Sequence, residues 1–462
     1  MSLVNEEQLN DLKAFLSFAS VSTDSAYAKD VDACADWLGE KLRGLGMTVE
    51  KHATAGHPIL VARNPHRSGH PTVMLYGHYD VQPIDPEEGW VTPPFEPTVI
   101  DDVIYARGAT DNKGQMLAHV LGMEETIKAE GELPVNVILL FEGEEEIGSP
   151  HLEPFLRENR EALACDVVAV SDTGMVGRGV PTFTYGLRGI ACMEVKVTGP
   201  EVDLHSGIYG GAVSNPATVA ARLAASLHDK DERVAIEGFY DGVAPLEEWE
   251  RKAWRTLPDG ETETLEQTGA PNLNGEVGYS AYERRWARPT AEVNGIGGGY
   301  QGEGAKTVIP KEAVLKLSFR LVPGQEPGRI LDLATKHLEA VCPPGVNLEI
   351  ERGHFGEAYV MDAFSDYGKA AQDALRDTFE GEEPALIREG GSIPIVQSFK
   401  DVLGVDTMLL GLALPDCNAH APNENFPLEN FAAGIRLNGH LLRRLGAVCE
   451  ESEELADLDD MV

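Results

Sequence analysis

The most informative stretch of the chain reads Pro71-Thr72-Val73-Met74-Leu75-Tyr76-Gly77-His78-Tyr79-Asp80. Its first six residues are mostly apolar and include β-branched side chains, which is typical of a strand buried inside a sheet. A histidine and an aspartate follow where that strand would end. In an open α/β sheet, the loops at the carboxyl ends of the strands form the ligand crevice. The stretch therefore predicts a buried strand with a polar site at its carboxyl end.

Two later runs have the same form. Residues 135–141 lead into the acidic run 142–146, and residues 165–170 lead towards Asp172, while a helical pattern follows Asp111. This alternation predicts an α/β fold, in which a catalytic domain has a central, mostly parallel sheet flanked by helices. The loops that carry the acidic residues are then expected to converge on one cleft.

A further candidate lies far along the chain, where His420 stands in an Asn-Ala-His-Ala-Pro-Asn segment. His420 and His78 supply imidazole nitrogen, while Asp111, the run 142–146 and Asp172 supply carboxylate oxygen. This mixed set suits two zinc-like ions that share a bridging ligand. The acidic run alone would more often be a solvated charge cluster, but here it follows a seven-residue apolar strand. The chain is therefore predicted to be a metallohydrolase.

Eight short segments, spread over nearly the whole chain, recur together in one known family. Those around the candidate ligands are Tyr76–Asp80, Arg107–Gly114, Glu142–Ser149 and Asn418–His420, and the others are Asp203–Gly207, Lys306–Pro310, Phe319–Pro323 and Gly390–Pro394. The first group resembles the site motifs of the M20 family of di-zinc aminoacylases, carboxypeptidases and dipeptidases. The second group resembles the cytosolic non-specific dipeptidase and carnosinase branch of that family.

The resemblance implies a ligand set for each of two metal ions. Asp111 would bridge the two ions. His78 and Asp172 would complete one site, and Glu146 and His420 would complete the other. Each ion would keep an open position for water or substrate, as catalytic metal sites do. The ions are expected to be Zn²⁺, although Mn²⁺ or Co²⁺ would accept similar ligands.

Two further acids are expected to take part in catalysis. Asp80 is placed to accept a hydrogen bond from the His78 nitrogen that does not bind metal. Glu145 is expected to act as general base towards a metal-bound water and then as general acid towards the leaving amine. This choice follows the family pattern, in which a glutamate pair is followed by any residue and then glycine. Glu144 remains the alternative, one position away.

The candidate metal ligands stop at Asp172 and resume only at His420. Strands with two helices lie between them, which predicts a small sheet covered on one face. Residues 1–187 and 358–462 are therefore assigned to the catalytic domain, and residues 188–357 to an inserted α+β domain. The resemblance implies that the insertion is the family's lid and dimerisation domain. The tryptophan-bearing segment 229–289 makes it longer than the simple family lid.

Three residues outside the metal set are expected to bind substrate. The resemblance implies that His205 reaches the active site of a partner subunit and stabilises the oxyanion. It also implies that Arg320 holds the terminal carboxylate of the substrate. A capping role for His205 and a surface salt bridge for Arg320 are the structural alternatives. Ser392, in a Gly-Gly-Ser segment, is expected to donate to a substrate carboxylate.

Charge and composition limit the partners. The chain has 76 acidic and 38 basic residues, with a formal net charge of −38, and this charge disfavours nucleic acid and anionic membranes. The first ten residues lack the features of a signal peptide, and no apolar stretch has the length of a membrane span. Six cysteines without a C-x-x-C pair suit a reducing compartment. We expect a cytoplasmic homodimer, joined through the lid, that acts on small peptides.

Three functions stay open at this stage. The first is a dinuclear metallopeptidase that cleaves dipeptides or short peptides with a free terminal carboxylate. The second is an M20 deacylase that acts on N-acyl amino acids such as acetylornithine or succinyl-diaminopimelate. The third is a catalytically silent scaffold that has kept the fold. A scaffold predicts missing ligands, whereas all of the candidate ligands and Glu145 are present.

Overall fold

The computed structural model describes residues 4–85, 89–258, 260–391 and 393–459, with the backbone alone for residues 449–459. The strands, in chain order, are β1 Thr48–His52, β2 Ile59–Arg63, β3 Thr72–His78, β4 Thr98–Ile100, β5 Val103–Tyr105, β6 Asn136–Glu142, β7 Val167–Val170, β8 Thr182–Leu187, β9 Gly189–Thr198, β10 Leu204–His205, β11 Thr290–Gly298, β12 Val308–Ile309, β13 Glu312–Leu321, β14 Asn347–Gly356, β15 Tyr359–Val360, β16 Ala385–Glu389, β17 Thr407–Leu409 and β18 Asn425–Pro427. The helices are α1 Glu6–Leu16, α2 Ala28–Gly44, α3 Lys113–Glu130, α4 Leu152–Glu158, α5 Ser206–Tyr209, α6 Pro216–Ala225, α7 Glu248–Trp254, α8 Gly260–Thr268, α9 Ala281–Ala287, α10 Pro327–Val341, α11 Asp366–Thr378, α12 Pro394–Ser398 and α13 Leu428–Asp459.

The chain divides into two compact units. The first comprises Met1–Tyr185, Met361–Ile387 and Ser398–Val462, and the second comprises Gly186–Val360 and Arg388–Gln397. The second unit thus takes in a short segment, 388–397, that lies beyond the predicted insertion. As folding domains, the segments 1–187, 188–357 and 358–462 stay a prediction.

The first unit is built on a sheet with the order β1-β2-β6-β3-β7-β17, followed by the first residues of β8. Strand β3 runs parallel to β6 and β7, and β7 runs parallel to β17, while β1, β2 and β8 are antiparallel to their neighbours. All of β6 and all but the first residue of β3 are buried. Parallel strands buried on both faces carry continuous apolar runs. The predicted mostly parallel central sheet is confirmed.

Helix α3 packs against β3 and against α13. Its first eleven residues are buried, because the helix is apolar on most of its circumference and has neighbours on several sides. Gly122 permits the contact with α13, since a Cβ atom built there would lie 2.5 Å from both the Cβ of Asn438 and the carbonyl oxygen of Ile435.

Among the described residues, no helix combines the length and the apolar character needed to cross a membrane.

The second unit contains the four-stranded antiparallel sheet β11-β13-β9-β14. Burial alternates residue by residue along β9, as expected for a sheet with one covered face. Helices α6 and α10 cover that face, and their apolar side chains share one core cluster with β9 and β13. This sheet and its two helices confirm the predicted inserted α+β architecture.

The segment 229–289 of the second unit contains α7, α8 and α9. Trp286 stacks on Tyr282 with ring centroids 4.2 Å apart, and Trp254 meets Trp286 edge-on at 5.3 Å. All three side chains are buried. These aromatic residues therefore pack α7 against α9, which is their ordinary role in a folded domain.

Candidate metal centre

The predicted ligands lie on loops at the carboxyl edge of the first unit's sheet. His78 is the last residue of β3, Asp172 lies two residues beyond β7, and Glu146 lies in a one-turn helix after β6. Strands β6 and β7 both run parallel to β3, so their carboxyl ends lie at one edge. Asp111 stands just before α3, and His420 lies between β17 and β18. All five residues thus belong to one unit.

The two carboxylate oxygens of Asp111 face different imidazoles. Asp111 Oδ1 lies 3.1 Å from His78 Nε2, and Asp111 Oδ2 lies 2.9 Å from His420 Nε2. A carboxylate that directs one oxygen to each side can bridge two neighbouring cations. Asp111 therefore occupies the position that a bridging ligand requires.

Each imidazole is also close to a second carboxylate. Asp172 Oδ2 lies 3.5 Å from His78 Nε2, and Glu146 Oε2 lies 3.3 Å from His420 Nε2. The side chains thus form two groups around Asp111, with a histidine and an acid in each. The resemblance implied the same grouping, and the roles of these residues as metal ligands stay a prediction.

The donor set fits divalent cations. His78 is fully buried, and its Nε2 has no well-aligned hydrogen bond with any described residue, although carboxylates surround it. A buried polar atom left in this state is unfavourable unless an ion or a ligand satisfies it. Donor atoms of His78, Asp111 and Glu146 lie within 4.8 Å of one another. Imidazole nitrogen and carboxylate oxygen in such a cluster suit Zn²⁺ and related dications.

The imidazoles and carboxylates of the cluster shift one another's pKa values. Hydrogen bonding to Asp111 and Glu146 raises the pKa of the half-exposed His420 to about 10. Burial opposes the charged imidazole of His78, but Asp172 and Asp111 outweigh it and raise the His78 pKa well above its ordinary value. Burial also opposes the charged form of Asp172, and it raises the pKa of that carboxyl to about 6 although the attraction of His78 lowers it. Such crowding of acids and imidazoles is typical of a functional site.

Asp80 supports both His78 and the glutamate turn. Its Oδ1 lies 3.4 Å from His78 Nδ1, and its backbone carbonyl oxygen lies 3.1 Å from the same nitrogen. The backbone amides of Glu145 and Glu146 donate to the two Asp80 carboxylate oxygens at 3.2 and 3.1 Å. Asp80 thus holds the imidazole that faces the site and the turn that carries two acids. Carboxylates behind a ligand histidine commonly fix its orientation.

The adjacent glutamates have different surroundings. Glu144 is buried, accepts a hydrogen bond from the backbone amide of His57 at 3.0 Å, and lies 2.7 Å from His151 Nδ1. Both of its oxygens are therefore engaged away from the candidate ligands. Glu145 instead has its strongest electrostatic interactions with members of the cluster, His78 and Asp172 first among them.

Sequence reasoning missed two residues that donate hydrogen bonds to candidate ligands, the buried Asn112 and the partly buried Gln82. The Asn112 side chain donates to Asp172 Oδ1 at 2.7 Å, and Gln82 Nε2 donates to Glu146 Oε2 at 2.6 Å. Burial raises the pKa of Glu142 to about 8, even though the Tyr76 hydroxyl donates to that carboxylate at 2.7 Å. Asn112 could have been suspected because it follows Asp111 directly. Gln82 carries no comparable signal in the sequence.

Two of the predicted substrate-binding residues, His205 and Arg320, belong to the second unit. His205 ends β10 in the second unit, where its exposed side chain caps α5 by accepting from the backbone amide of Gly207 at 3.0 Å. Arg320 lies on β13 of the same unit, opposite Thr290 and Ile190 on the neighbouring strands. Ser392 lies outside the described residues. The substrate roles of these three residues stay predictions.

A mostly parallel sheet that gathers two imidazoles around one shared carboxylate at its carboxyl edge is the arrangement of a metal-dependent hydrolase. The chain belongs to peptidase family M20/M25/M40, whose sequence profile matches residues 74–444. It is 33% identical over 456 residues to the Cys-Gly metallodipeptidase DUG1 of Candida albicans, with 94% of each chain covered. The predicted family, fold class and metallopeptidase chemistry are thereby confirmed.

Two solved structures show the same fold. The M20 family metallo-carboxypeptidase Sso-CP2 from Sulfolobus solfataricus has a TM-score of 0.84 and 34% identity, with 96% of this chain and 100% of that chain covered. Human carnosine dipeptidase 1 has a TM-score of 0.82 and 28% identity, with 96% of both chains covered. The resemblance thus extends over nearly the whole of each chain.

Proposed function

We propose that the chain is a dipeptidase that hydrolyses the amide bond of dipeptides or short peptides with a free terminal carboxylate. The observation that carries the proposal is the placement of Asp111 between His78 and His420, with Asp172 and Glu146 on either side. Relatives named as a Cys-Gly metallodipeptidase and as a carnosine dipeptidase support the peptide substrate.

Two cations would be held by Asp111 jointly, with His78 and Asp172 for one ion and Glu146 and His420 for the other. Bound there, two dications would polarise the scissile carbonyl group and lower the pKa of a water molecule towards about 7. We propose Zn²⁺ as the working ion, with Mn²⁺ or Co²⁺ as alternatives that the same donors accept. Asp80 holds the His78 ring in place for this role.

Glu145 is the proposed proton carrier. Burial and repulsion from Asp172 and Asp111 outweigh the attraction of His78 and raise the pKa of Glu145 well above its ordinary value. Two bound cations would offset that repulsion and lower the pKa again, so that the Glu145 carboxylate could take a proton from the attacking water and return it to the leaving amine. The engagement of Glu144 by His57 and His151 supports this choice of register.

The second unit is proposed to be a lid and dimerisation domain. Within the described chain, β11 is an edge strand that pairs only with β13, and Val293 and Ile296 on it are 42% and 55% exposed. An apolar sheet edge of this kind favours pairing with a second copy. In such a homodimer, we propose that His205 serves the partner's active site and that Arg320 and Ser392 bind the substrate carboxylate.

A cytoplasmic location is proposed as well. It rests on the cysteine spacing, which lacks a C-x-x-C pair, and spacing of this kind suits a reducing compartment.

Two other substrate classes are alternatives to dipeptides. The similarity to Sso-CP2, named as a metallo-carboxypeptidase, favours removal of the last residue from peptides longer than two residues. The family resemblance also includes deacylases, which makes N-acyl amino acids the other alternative. Both activities would use the same metal centre, so only the pocket for the rest of the substrate distinguishes them.

A substrate panel tests the proposal. Purified protein is stripped with a chelator, reloaded with Zn²⁺, Mn²⁺ or Co²⁺, and assayed on dipeptides, tripeptides, pentapeptides and N-acetyl amino acids. We expect two metal ions per chain and the highest kcat/KM on dipeptides. Faster turnover of pentapeptides would make the chain a carboxypeptidase, and faster turnover of N-acetyl amino acids would make it a deacylase. Protein that binds no metal and hydrolyses nothing would support the scaffold hypothesis.

A further inference from the structure

Glu424 is a fully buried acid four residues beyond His420. Its Oε1 accepts hydrogen bonds from the backbone amides of Thr110 and Asp111, each at 3.0 Å. These contacts join segments that are 313 residues apart in the chain. One side chain thus connects the loop of the His420 imidazole to the backbone of the residue placed to bridge two ions.

The other carboxylate oxygen of Glu424 is also fully used. Glu424 Oε2 accepts from the backbone amide of Gly108 at 3.0 Å and from Arg107 Nη1 at 2.8 Å. The guanidinium group of Arg107 is 1% exposed and lies over the ring of Trp90, 5.3 Å from its centroid. Glu424 therefore meets four N–H donors. An ionised carboxylate accepts at both oxygens, whereas a glutamine side chain would direct its own N–H groups at two of these donors.

Backbone bonds extend the same connection. The amide of Ala106 donates to the carbonyl oxygen of Glu424 at 3.1 Å, and the Thr110 hydroxyl donates to the carbonyl oxygen of Asn425 at 2.6 Å. The loop of Asp111 is thus joined to residues 424 and 425 through main chain as well as side chain.

The segment around His420 needs such external contacts. Asn418, His420 and Asn423 have φ angles of 55°, 59° and 64°, in the left-handed region that residues with a Cβ atom adopt reluctantly. Backbone in this region persists when surrounding contacts determine it. Glu424 follows directly and is held by four hydrogen bonds, so it gives the segment a fixed end beside Asp111.

We propose that Glu424 is a positioning residue of the metal centre, which sets the placement of Asp111 relative to His420. The inference rests on the proposed function of these two residues as metal ligands. Without the Glu424 carboxylate, the amides of Gly108, Thr110 and Asp111 lose their shared acceptor. The Asp111 carboxylate and the His420 imidazole, whose nearest atoms are 2.9 Å apart, then lose the connection that fixes their relative position.

Three variants separate positioning from folding. Glu424→Asp keeps the charge but withdraws the oxygens by one methylene group. Glu424→Gln keeps the size but replaces one acceptor by a donor, and it leaves Arg107 buried without a counterion. The double variant Arg107→Met/Glu424→Gln removes that unpaired charge, while the glutamine NH2 group still faces at least one of the backbone amides in place of an acceptor. Glu124→Gln is the matched control, because it breaks a partly buried ion pair with Lys41 in the same unit.

The measurements are Zn²⁺ stoichiometry and affinity by equilibrium dialysis, the Tm with and without Zn²⁺, and kcat and KM. We expect the affinity for at least one ion to fall by about 10- to 100-fold in Glu424→Gln, as for other residues that orient metal ligands. Glu424→Asp should show a smaller loss. The double variant should recover Tm without recovering Zn²⁺ affinity, and Glu124→Gln should bind Zn²⁺ as the wild type does.

Three outcomes would overturn the proposal. Wild-type Zn²⁺ affinity in any folded Glu424 variant would show that the hydrogen bonds of Glu424 do not determine the placement of the metal ligands. Recovery of affinity in the double variant would show that only the unpaired charge mattered. Failure of all three variants to fold would make Glu424 a folding residue. If wild-type protein itself binds fewer than two ions, the proposed function fails instead, and this result is read before any variant is compared.

Discussion

At the residue scale, three consecutive glutamates illustrate how local geometry assigns roles. Glu145 and Glu146 belong to a single 3-10 turn that Glu144 precedes, and successive side chains of such a turn point about 120° apart because it has about three residues per turn. Glu144 accordingly meets His57 and His151, whereas Glu146 meets Gln82 and His420. The turn thereby separates Glu144, held by His57 and His151, from Glu146, which contacts His420.

The first prediction concerns the proton carrier. Glu145→Gln should reduce kcat on a dipeptide by about 10²- to 10⁴-fold, the usual contribution of a general acid–base group. It should retain two metal ions per chain, because the amide replaces no proposed ligand. Steady-state kinetics and metal analysis on the same sample measure both quantities.

Glu144→Gln is the matched control for Glu145→Gln. It changes the same functional group one position away, at a carboxylate that His57 and His151 already engage, so its effect should be on stability and not on proton transfer. A fully active Glu145→Gln together with an inactive Glu144→Gln would move the base by one residue.

At the element scale, one buried histidine connects α3 to α13 and to the residue that follows β7. His119 is buried on α3; its Nδ1 accepts from Asn438 Nδ2 on α13 at 3.0 Å, and its Nε2 lies 2.8 Å from the Ser171 hydroxyl just beyond β7. Because the Asn438 amide nitrogen is a donor, the ring must carry its proton on Nε2. Burial lowers the pKa of His119 to about 4.

The second prediction follows from this pKa. The unfolded chain binds a proton at His119 below its ordinary pKa of about 6.5, whereas the folded protein does not until about pH 4, so the folded state loses stability as pH falls between those values. From about pH 7.5 to pH 5, the contribution amounts to about 2 kcal/mol. Urea unfolding of wild type and His119→Gln should show their difference in unfolding free energy changing by that amount. Parallel pH profiles for the two proteins would refute the assignment.

The third prediction concerns the distance between α3 and α13. Gly122→Ala places a methyl group 2.5 Å from Asn438 and Ile435, so the helices must separate. Overpacking of this kind typically destabilises by about 1–3 kcal/mol. Gly44→Ala, at the end of α2 with nothing within 4 Å of the new Cβ atom, is the control and should be neutral or slightly stabilising. Equal free energies of unfolding for the two variants would show that α3 and α13 adjust without strain.

At the scale of the whole molecule, the proposed homodimer can be tested by mixing subunits. His205→Ala and Glu145→Gln should each be inactive alone. If His205 serves the partner's active site, a mixed dimer has one complete site, and random reassociation should restore roughly a quarter of wild-type activity. Activity is measured after dilution and reassociation of equimolar subunits, with gel filtration as the check on dimer formation. No recovery from mixed dimers would place His205 in its own subunit's site or outside catalysis.

The high negative charge is also a property of the whole chain. A formal net charge of −38 keeps a protein soluble and works against its compact state through self-repulsion. Imidazole and carboxylate groups of the metal centre are nonetheless gathered into one place, where bound cations would relieve the local repulsion among the acids.

Local patterns in the chain were enough to predict a mostly parallel central sheet with polar loops at the strand ends and to indicate the family. Apolar runs ending at His78, at the glutamates and near Asp172 predict buried strands with polar carboxyl ends, because strand burial and strand length are visible within a few residues. The structure then places those residues together with Asp111 and His420. The predicted mostly parallel sheet and inserted α+β unit have the same local origin.

Tertiary structure alone decided which groups surround those ligands. Three hydrogen bonds join positions that are 64 to 313 residues apart. They connect His57 to Glu144, Gln82 to Glu146, and the Asp111 amide to Glu424. No periodicity or short motif links such positions, because side-chain hydrogen bonds across a core depend on how loops meet after folding. The sequence by itself therefore determined the family and predicted the candidate ligands, and packing decided how those side chains are held.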